Sequence, residues 1–273
     1  MKIQGIAAAS GISIAKIVKF EPVTILEQTE IGTTEQELAK LTLAIADSKI
    51  DLQQLEAQTA ERLGASEAEV FGAHLLVLQD PEYIGGIEAL IQEGSGATQA
   101  IEAVQNQFVT LFLALDDEYM KERAADVNDV SQRLMRKVTG TNESVSDYKE
   151  PTILVAHDLT PSDTAKLNAE FTRGFITEKG GKTSHSAIFA RSLQIPAIVG
   201  ATGILSEVQS GDIAIMNGET GEIFINPTAE QLEHYEALGQ VQLEKRQGLQ
   251  ALLHEKTVTK DGHELAGMVM KTM

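Results

Sequence analysis

Apolar residues recur every three or four positions through the first half of the chain, which is the spacing of amphipathic helices. The first run follows Thr34 and Glu37, which together have the form of a capping box, and it continues from residue 38 to residue 55. A second run begins at Ser66 and Glu69, where the same box recurs. The pattern predicts one long amphipathic helix and a second, shorter one.

Two further helical runs follow. The third begins at Asp80-Pro81, because proline suits the first helical turn, and Gly94 closes it. The fourth extends from residue 98 to residue 140, and its length predicts a break near 115–117. Residues 30–142 are together predicted to form a helical bundle of antiparallel hairpins.

Short strands are predicted on both sides of this bundle. Residues 3–20 are small and β-branched with glycine punctuation, which predicts a strand, a turn and another strand. After residue 151, strands alternate with two helices, predicted at 161–168 and 185–193. The later strands are predicted at 152–156, 174–177, 197–199, 213–216 and 222–225, with 217–221 turning the last two into a hairpin.

These elements predict an α/β domain interrupted by an all-α bundle, because the N-terminal strands have no partners except the later sheet. The predicted boundaries assign residues 1–24 and 146–227 to the α/β domain and 30–142 to the bundle. Thr228 caps a long polar helix, predicted as a linker at 228–256. Residues 257–273 are left as a tail.

Composition restricts the chemistry. With 273 residues, the chain has room for one large domain or two ordinary ones, and an aromatic content of 4% makes the core aliphatic. The absence of cysteine excludes disulfides, thiolate metal sites and a cysteine nucleophile. The net charge of −18 disfavours nucleic acid and anionic membranes and favours a basic protein partner. The N-terminus has no apolar run suited to a signal peptide, so a cytoplasmic protein is expected.

The strongest chemical signal is a histidine behind a glycine-rich loop. Gly180, Gly181, Lys182, Thr183 and Ser184 precede His185, at the predicted start of a helix. Free backbone N–H groups, the positive end of the helix dipole and the lysine ammonium suit an anion held at the imidazole.

Three interpretations of this loop compete. The first is an ordinary strand-to-helix turn, which the combination of glycines, cation, hydroxyls and histidine disfavours. The second is a nucleotide P-loop, but that motif requires glycine at position 176, which is Ile176. The third is a histidine that is phosphorylated by nucleophilic attack of a ring nitrogen and later passes the phosphoryl group on.

Residues 180–200, with the sequence GGKTSHSAIFARSLQIPAIVG, resemble the phosphohistidine signature of phosphoenolpyruvate-dependent phosphotransferases. Enzyme I of the bacterial sugar phosphotransferase system, pyruvate phosphate dikinase and phosphoenolpyruvate synthase share that signature. The helical insertion resembles Enzyme I and not the other two. Further similarity to Enzyme I lies at residues 71–81, 115–127 and 156–165, and at 5–12, where Ala9 and Ser10 depart from its G-I-x-A-S-P-G-I pattern.

The resemblance, which extends over residues 3 to about 263, implies the role of each site residue. His185 would carry the phosphoryl group on Nε2, and Thr164 would bond the active histidine through its hydroxyl, unless it bonds only its own helix backbone. Lys182 would neutralise phosphoryl charge, while Thr183 and Ser184 would bond phosphoryl oxygens or cap the helix. Arg191 is interpreted as structural, and no role is assigned to His157, His234, His254 or His263.

The resemblance also implies a partner, the small carrier protein HPr, which docks on the helical insertion. The candidate contacts carried over from the family are Glu67, Val70, His74, Leu75, Leu78, Glu82 and Arg123. His74 has a competing interpretation, because a histidine at a helix–helix seam is more often a packing residue.

Full-length Enzyme I continues into a barrel that binds phosphoenolpyruvate and Mg²⁺, and the tail at 265–273 departs from the family where that barrel would begin. We therefore expect no cofactor in this chain, no self-phosphorylation from phosphoenolpyruvate, and a monomer that exchanges phosphoryl groups reversibly with HPr. Two alternatives stay open. One is a non-catalytic module that binds HPr, and the other is the Enzyme I-like segment of a dihydroxyacetone-kinase phosphotransfer protein.

Overall fold

The computed structural model describes residues 1–20, 31–141 and 148–252, and these group into two compact units. The α/β unit contains residues 1–20, 148–158 and 168–252, and the helical unit contains 31–141 and 159–167. The sequence placed 159–167 in the α/β domain, whereas their contacts lie in the helical unit. Residues 21–24 and 253–256 of the predicted domains, and the tail at 257–273, lie outside the described residues.

The helical unit contains the predicted helices. Their bounds are α1 Thr34–Arg62, α2 Ala65–Val77, α3 Pro81–Gln92, α4 Ala97–Leu113, α5 Glu118–Thr139 and the short α6 Pro161–Ala165. The break predicted near 115–117 is confirmed, because α4 ends before it and α5 begins after it. Helix α1 packs on α2, and α4 packs on α3 and α5. The core between them includes the fully buried Leu52, Phe71, Ile87, Ile101 and Leu134.

Two of the predicted helix caps are wrong in their details. The N-cap of α1 is Thr33, one residue earlier than expected, and its box partner is Gln36. Helix α2 starts after Gly64 with no side-chain cap, so the Ser66 box does not form. The prediction for α3 is confirmed, since the Asp80 carboxylate accepts the N–H groups of Glu82 and Tyr83 at 2.8 and 3.2 Å.

Glu37, which was predicted to cap its own helix, instead connects two helices and the chain before α1. Its Oε2 accepts the N–H of Ala97 at the start of α4, at 2.8 Å. Its Oε1 accepts the N–H of Gly32 at 3.0 Å and pairs with the Lys40 ammonium at 2.6 Å. The side chain is almost fully buried, and so is Ala97, so the carboxylate pairs a backbone donor that would otherwise be unsatisfied in the interior.

Replacing Glu37 by glutamine is expected to lower the free energy of unfolding of the helical unit by about 1–3 kcal/mol, because charge-assisted bonds are lost in a buried setting. Burial favours a higher pKa, but the N–H of Ala97, Lys40 and the N–H of Gly32 outweigh it and hold the pKa of the Glu37 carboxyl below its ordinary value. This stabilisation is therefore complete above the unfolded pKa of about 4.3 and is lost as the pH falls through the lower folded-state pKa. Urea unfolding at pH 7 and pH 3 measures both effects. Glu61→Gln, an exposed change on the same helix, should change stability by less than about 0.5 kcal/mol.

The α/β unit is built on one sheet. Within the described residues it has eight strands in the order β1-β8-β7-β3-β4-β5-β6-β2. Their bounds are β1 Lys2–Gln4, β2 Ile6–Ala9, β3 Ile12–Phe20, β4 Thr152–Ala156, β5 Thr172–Thr177, β6 Ala197–Val199, β7 Ile213–Asn217 and β8 Glu222–Ile225. The helices are α7 His185–Leu193, α8 Ile204–Glu207 and α9 Ala229–Leu252. Thr228 caps α9 as predicted, accepting the N–H of Gln231 at 3.3 Å.

The predicted dependence of the N-terminal strands on the later sheet is confirmed. Strand β1 pairs with β8, β2 pairs with β6, and β3 lies between β7 and β4. The β3–β4, β4–β5 and β5–β6 pairs are parallel. The core on this sheet includes the fully buried Ile17, Ile153, Ile176 and Ile198. Across the described ranges, we find no helix that is both long enough and apolar enough to pass through a membrane.

Candidate functional site

The candidate site lies where parallel strands of the α/β unit end. Strand β5 ends at Thr177, and the chain then turns through residues 180–184, here called the glycine loop, before α7 begins at His185. Strands β4 and β6 run parallel to β5, so their carboxyl ends lie at the same edge of the sheet. Ligand sites in open α/β sheets form outside this edge.

The turn from strand to helix depends on glycine and serine. Gly180 has a φ of +97°, a left-handed conformation that disfavours any side chain. Ser184 is the N-cap of α7, and its hydroxyl accepts the N–H of Ala187 at 3.4 Å. A Cβ atom on Gly181 would meet nothing within 4 Å, so the space beside that residue is open.

His185 occupies the first position of α7, where a helix presents unpaired N–H groups and its positive dipole end. The imidazole is partly exposed. Within the described residues of the α/β unit, neither its ring nitrogens nor the backbone N–H groups of His185 and Ser186 make a hydrogen bond. The site therefore combines a partly exposed imidazole with unused N–H donors.

The glycine loop carries an exposed cation. The side chains of Lys182 and Thr183 are exposed, and the Lys182 ammonium makes no ion pair or hydrogen bond within the described part of the chain. The Lys182 carbonyl, in contrast, accepts a hydrogen bond from Nη1 of Arg191 at 3.0 Å. The same nitrogen donates to the carbonyl of Ala8 at 3.1 Å. Sequence reasoning had interpreted Arg191 only as a structural residue of the helix.

A second imidazole lies at the same edge. Nδ1 of His157, the residue after β4, is 2.7 Å from Oε2 of Glu178, the residue after β5. This bond with His157, together with the N–H groups of Leu205 and Gly203, holds the pKa of the Glu178 carboxyl below its ordinary value. The sequence assigned no role to His157, because the local pattern does not indicate that it pairs with Glu178, 21 residues later. No group of three or more potential metal ligands occurs among the described residues.

Thr164 belongs to the helical unit, whereas His185 belongs to the α/β unit. The Thr164 hydroxyl donates to the carbonyl of Thr160 at 2.6 Å and lies 3.3 Å from that of Pro161. This bonding to its own helix is the alternative that the sequence offered for Thr164. A bond between Thr164 and the active histidine stays a prediction.

The predicted docking residues all lie in the helical unit, but they differ in exposure. His74 and Leu78 are 0% and 2% exposed, so they pack inside the bundle and contribute no exposed surface. Glu67, Val70 and Leu75 are partly exposed, and Glu82 is exposed. Arg123 is partly exposed and pairs with Asp126 at 3.1 Å. The predictions omitted Leu76, which is 67% exposed on α2.

Comparison with known families yields two matches along the chain. Residues 4–123 match the family described as PEP-utilising enzyme, N-terminal. Residues 148–221 match the family described as PEP-utilising enzyme, mobile domain. The second match contains the glycine loop and His185.

Among similar proteins, the phosphoenolpyruvate-protein phosphotransferase of Staphylococcus carnosus is 44% identical over 97% of this chain and 47% of its own length. The protein of that name from Staphylococcus aureus strain Mu50 is 46% identical over 95% of this chain and 46% of its own. The chain thus spans about half the length of the curated relatives it matches. A solution structure titled Enzyme I (nEIt) has a TM-score of 0.68 and 36% identity, and it covers 88% of this chain and 98% of its own.

Proposed function

The chain belongs to the Enzyme I family of phosphoenolpyruvate-utilising enzymes, and we propose that it carries a phosphoryl group on His185 and exchanges it with a histidine of an HPr-type carrier. The observation that supports this most is the position of His185 at the start of α7, with unused N–H donors and the exposed Lys182 beside it. Unpaired N–H groups and the positive dipole end at a helix N-terminus favour a bound phosphate.

In the proposed reaction, Nε2 of neutral His185 attacks the phosphorus of the phosphorylated carrier histidine. The new N–P bond forms as the carrier's N–P bond breaks, and the electron pair of the broken bond returns to the carrier imidazole. The Nδ1 proton stays on His185. Positioning and electrostatics supply most of the catalysis in such a loose transition state, and the Lys182 ammonium lies in the loop that adjoins the developing charge.

Docking of the carrier is proposed on the exposed face of α2 and its continuation into α3. The apolar element of this face is Leu76, and the exposed Glu69, seven residues earlier, lies on the same side of α2. Exposed Glu82 follows on α3. An apolar anchor with charged residues around it is the usual composition of a protein interface. The net charge of −18 would accelerate the approach of a basic carrier.

Replacing Leu76 by aspartate is expected to raise the dissociation constant of HPr about tenfold, because a buried anchor of this kind contributes about 1.4 kcal/mol or more. The phosphoryl-transfer rate at saturating carrier should stay unchanged. Isothermal titration measures the binding. Leu43→Asp on α1 is the matched control, because Leu43 is also 67% exposed. Equal weakening by both variants would show that general charge, and not this face, sets the affinity.

The proposed function is tested by phosphoryl uptake from a carrier phosphorylated beforehand. The chain is incubated with purified phosphorylated HPr, and phosphorus NMR follows the appearance of phosphohistidine on the chain. A new phosphohistidine signal that disappears when unphosphorylated HPr is added supports reversible transfer. Binding of HPr without uptake would overturn the proposal and leave a non-catalytic HPr-binding module.

A further inference from the structure

We propose that Arg191 is a positioning residue for phosphoryl transfer, which holds the glycine loop in place by connecting it to strand β2. The inference rests on the proposed function, since the loop matters for transfer only if His185 accepts a phosphoryl group. The described hydrogen bonds of the guanidinium go to the carbonyls of Ala8 and Lys182 and not to His185, so its action would be exerted through the loop backbone.

The tip of the glycine loop has few other attachments. The base of the loop is held by the Thr177 hydroxyl, which donates to the Lys179 carbonyl at 2.7 Å. Its end is held by Ser184, whose N–H and hydroxyl donate to the Gly181 carbonyl at 3.0 and 2.9 Å, within the loop itself. In residues 181–183, the bond from Arg191 to Lys182 is the one described hydrogen bond that leads out of the loop.

The other end of this connection is a β-bulge. In the pairing of β2 with β6, Ala7 is opposite Ile198 and Ala9 is opposite Ala197, so Ala8 is the extra residue. Its carbonyl accepts Nη1 of Arg191 at 3.1 Å. Ala8 is buried, so an unpaired carbonyl there would be costly. The bulge thereby supplies a rigid acceptor on the sheet for the same nitrogen that holds the loop.

The geometry of one guanidinium nitrogen explains why arginine suits this position. Nη1 carries two hydrogens in a fixed plane, so this one nitrogen can donate to both carbonyls. Two glycines precede Lys182, so the loop backbone has more conformations to restrict than most. A misplacement of about 1 Å near a reacting centre can slow a reaction about 100-fold. Loss of Arg191 should therefore slow the transfer step and leave carrier docking unchanged.

The experiment compares Arg191→Ala and Arg191→Lys with the wild-type chain, well below the unfolding temperature of each. Rapid-quench transfer from labelled phosphorylated HPr gives the rate at saturating carrier and the concentration dependence separately. For Arg191→Ala we expect a 10- to 100-fold lower saturated rate, with the HPr dissociation constant unchanged within twofold. Arg191→Lys should recover part of the rate, and added guanidinium at millimolar concentration should do so in Arg191→Ala. Arg173→Ala is the control, because Arg173 is an exposed arginine of β5 whose side chain makes no described bond.

Amide hydrogen exchange of residues 181–184 gives a readout that does not depend on catalysis. These amides should exchange faster in Arg191→Ala and remain unchanged in Arg173→Ala. If the wild type takes up no phosphoryl group while the exchange difference is present, the proposed function fails and the positioning of the loop stands. Wild-type rate and exchange in folded Arg191→Ala would overturn the inference. A change confined to carrier affinity, or one that Arg191→Lys and guanidinium fail to relieve, would overturn it as well.

Discussion

Replacement of His185 by alanine is expected to reduce phosphoryl uptake from HPr to below about 0.1% of the wild-type level, the largest effect of any single change in this chain. The physical reason is that the imidazole is the nucleophile that accepts the phosphoryl group, and without Nε2 there is no nitrogen to form the N–P bond. The surrounding N–H donors, Lys182 and the helix dipole would remain, but no phosphoryl group would be bound at residue 185 for them to stabilise. Phosphorus NMR and transfer of labelled phosphate both measure this loss.

Binding of HPr should be unchanged in His185→Ala, because the proposed docking face lies on α2 and α3 of the helical unit. His234→Ala is the matched control, since His234 is an exposed histidine on α9 of the same unit as His185. It should take up phosphoryl groups at the wild-type rate. A phosphohistidine signal that persists in His185→Ala would contradict the assignment and direct attention to His157, whose Nδ1 is held by Glu178.

Replacement of Asp129 by alanine is expected to lower the free energy of unfolding of the helical unit by about 3–5 kcal/mol. Asp129 is completely buried on α5, and its Oδ2 accepts the N–H of Ser162 at 3.0 Å. Arg133, which is 3% exposed, donates to the Ser162 hydroxyl at 2.7 Å and lies near Asp51. Removing the carboxylate would leave the Ser162 N–H unpaired in the interior, and it would take away one of the negative charges that, with Asp51 at 3.4 Å, offset the buried guanidinium.

The pH dependence of this stabilisation has a defined sign. Burial favours a higher pKa for the Asp129 carboxyl, but His74, Arg133 and the Ser162 bonds outweigh it and hold that pKa below its ordinary value. The contribution is therefore complete above the unfolded pKa of about 3.9 and is lost as the pH falls through the lower folded-state pKa.

Unfolding in urea, followed by circular dichroism, measures the change in Asp129→Ala, and hydrogen exchange of α5 amides reports on the helical unit alone. Asp47→Ala, an exposed change on α1, is the control and should cost less than about 0.5 kcal/mol. Asp129→Asn should have an intermediate effect, because the amide oxygen still accepts the Ser162 N–H. A loss below about 1 kcal/mol in Asp129→Ala would show that the buried network contributes little to stability.

The helices and strands were predictable because hydrophobic periodicity is a local signal. The predicted bounds 152–156, 185–193, 197–199 and 222–225 agree with β4, α7, β6 and β8. Helix caps were less predictable, because a hydroxyl and an acid three residues apart occur at several registers. Thr33 rather than Thr34 caps α1, and Glu37 serves α4, which is 60 residues away. The local pattern around Glu37 gives no information about its bond to the Ala97 N–H.

Polar residues inside the bundle were missed or misplaced for a related reason. For His74 the sequence offered a docking contact or a packing residue, and its complete burial, with Nε2 3.3 Å from Asp126, agrees with packing. The pattern did not predict that Asp129 and Arg133 are buried, although both lie in the interior of the helical unit. Hydrophobic periodicity assigns such side chains to the surface, because only their tertiary partners make their burial tolerable.

The sequence by itself determined the group of residues on which the proposed chemistry rests, because the glycine loop, its cation and His185 are contiguous and their relation to the helix start is local. It also determined that the N-terminal strands require the later sheet. Only the tertiary structure decided what holds the loop, since Arg191 reaches a carbonyl 183 residues away on a bulged strand. It alone separated exposed Leu76 from buried His74 and Leu78 on α2. Contacts between distant segments depend on how elements pack, and a local pattern carries no information about the neighbour that packing supplies.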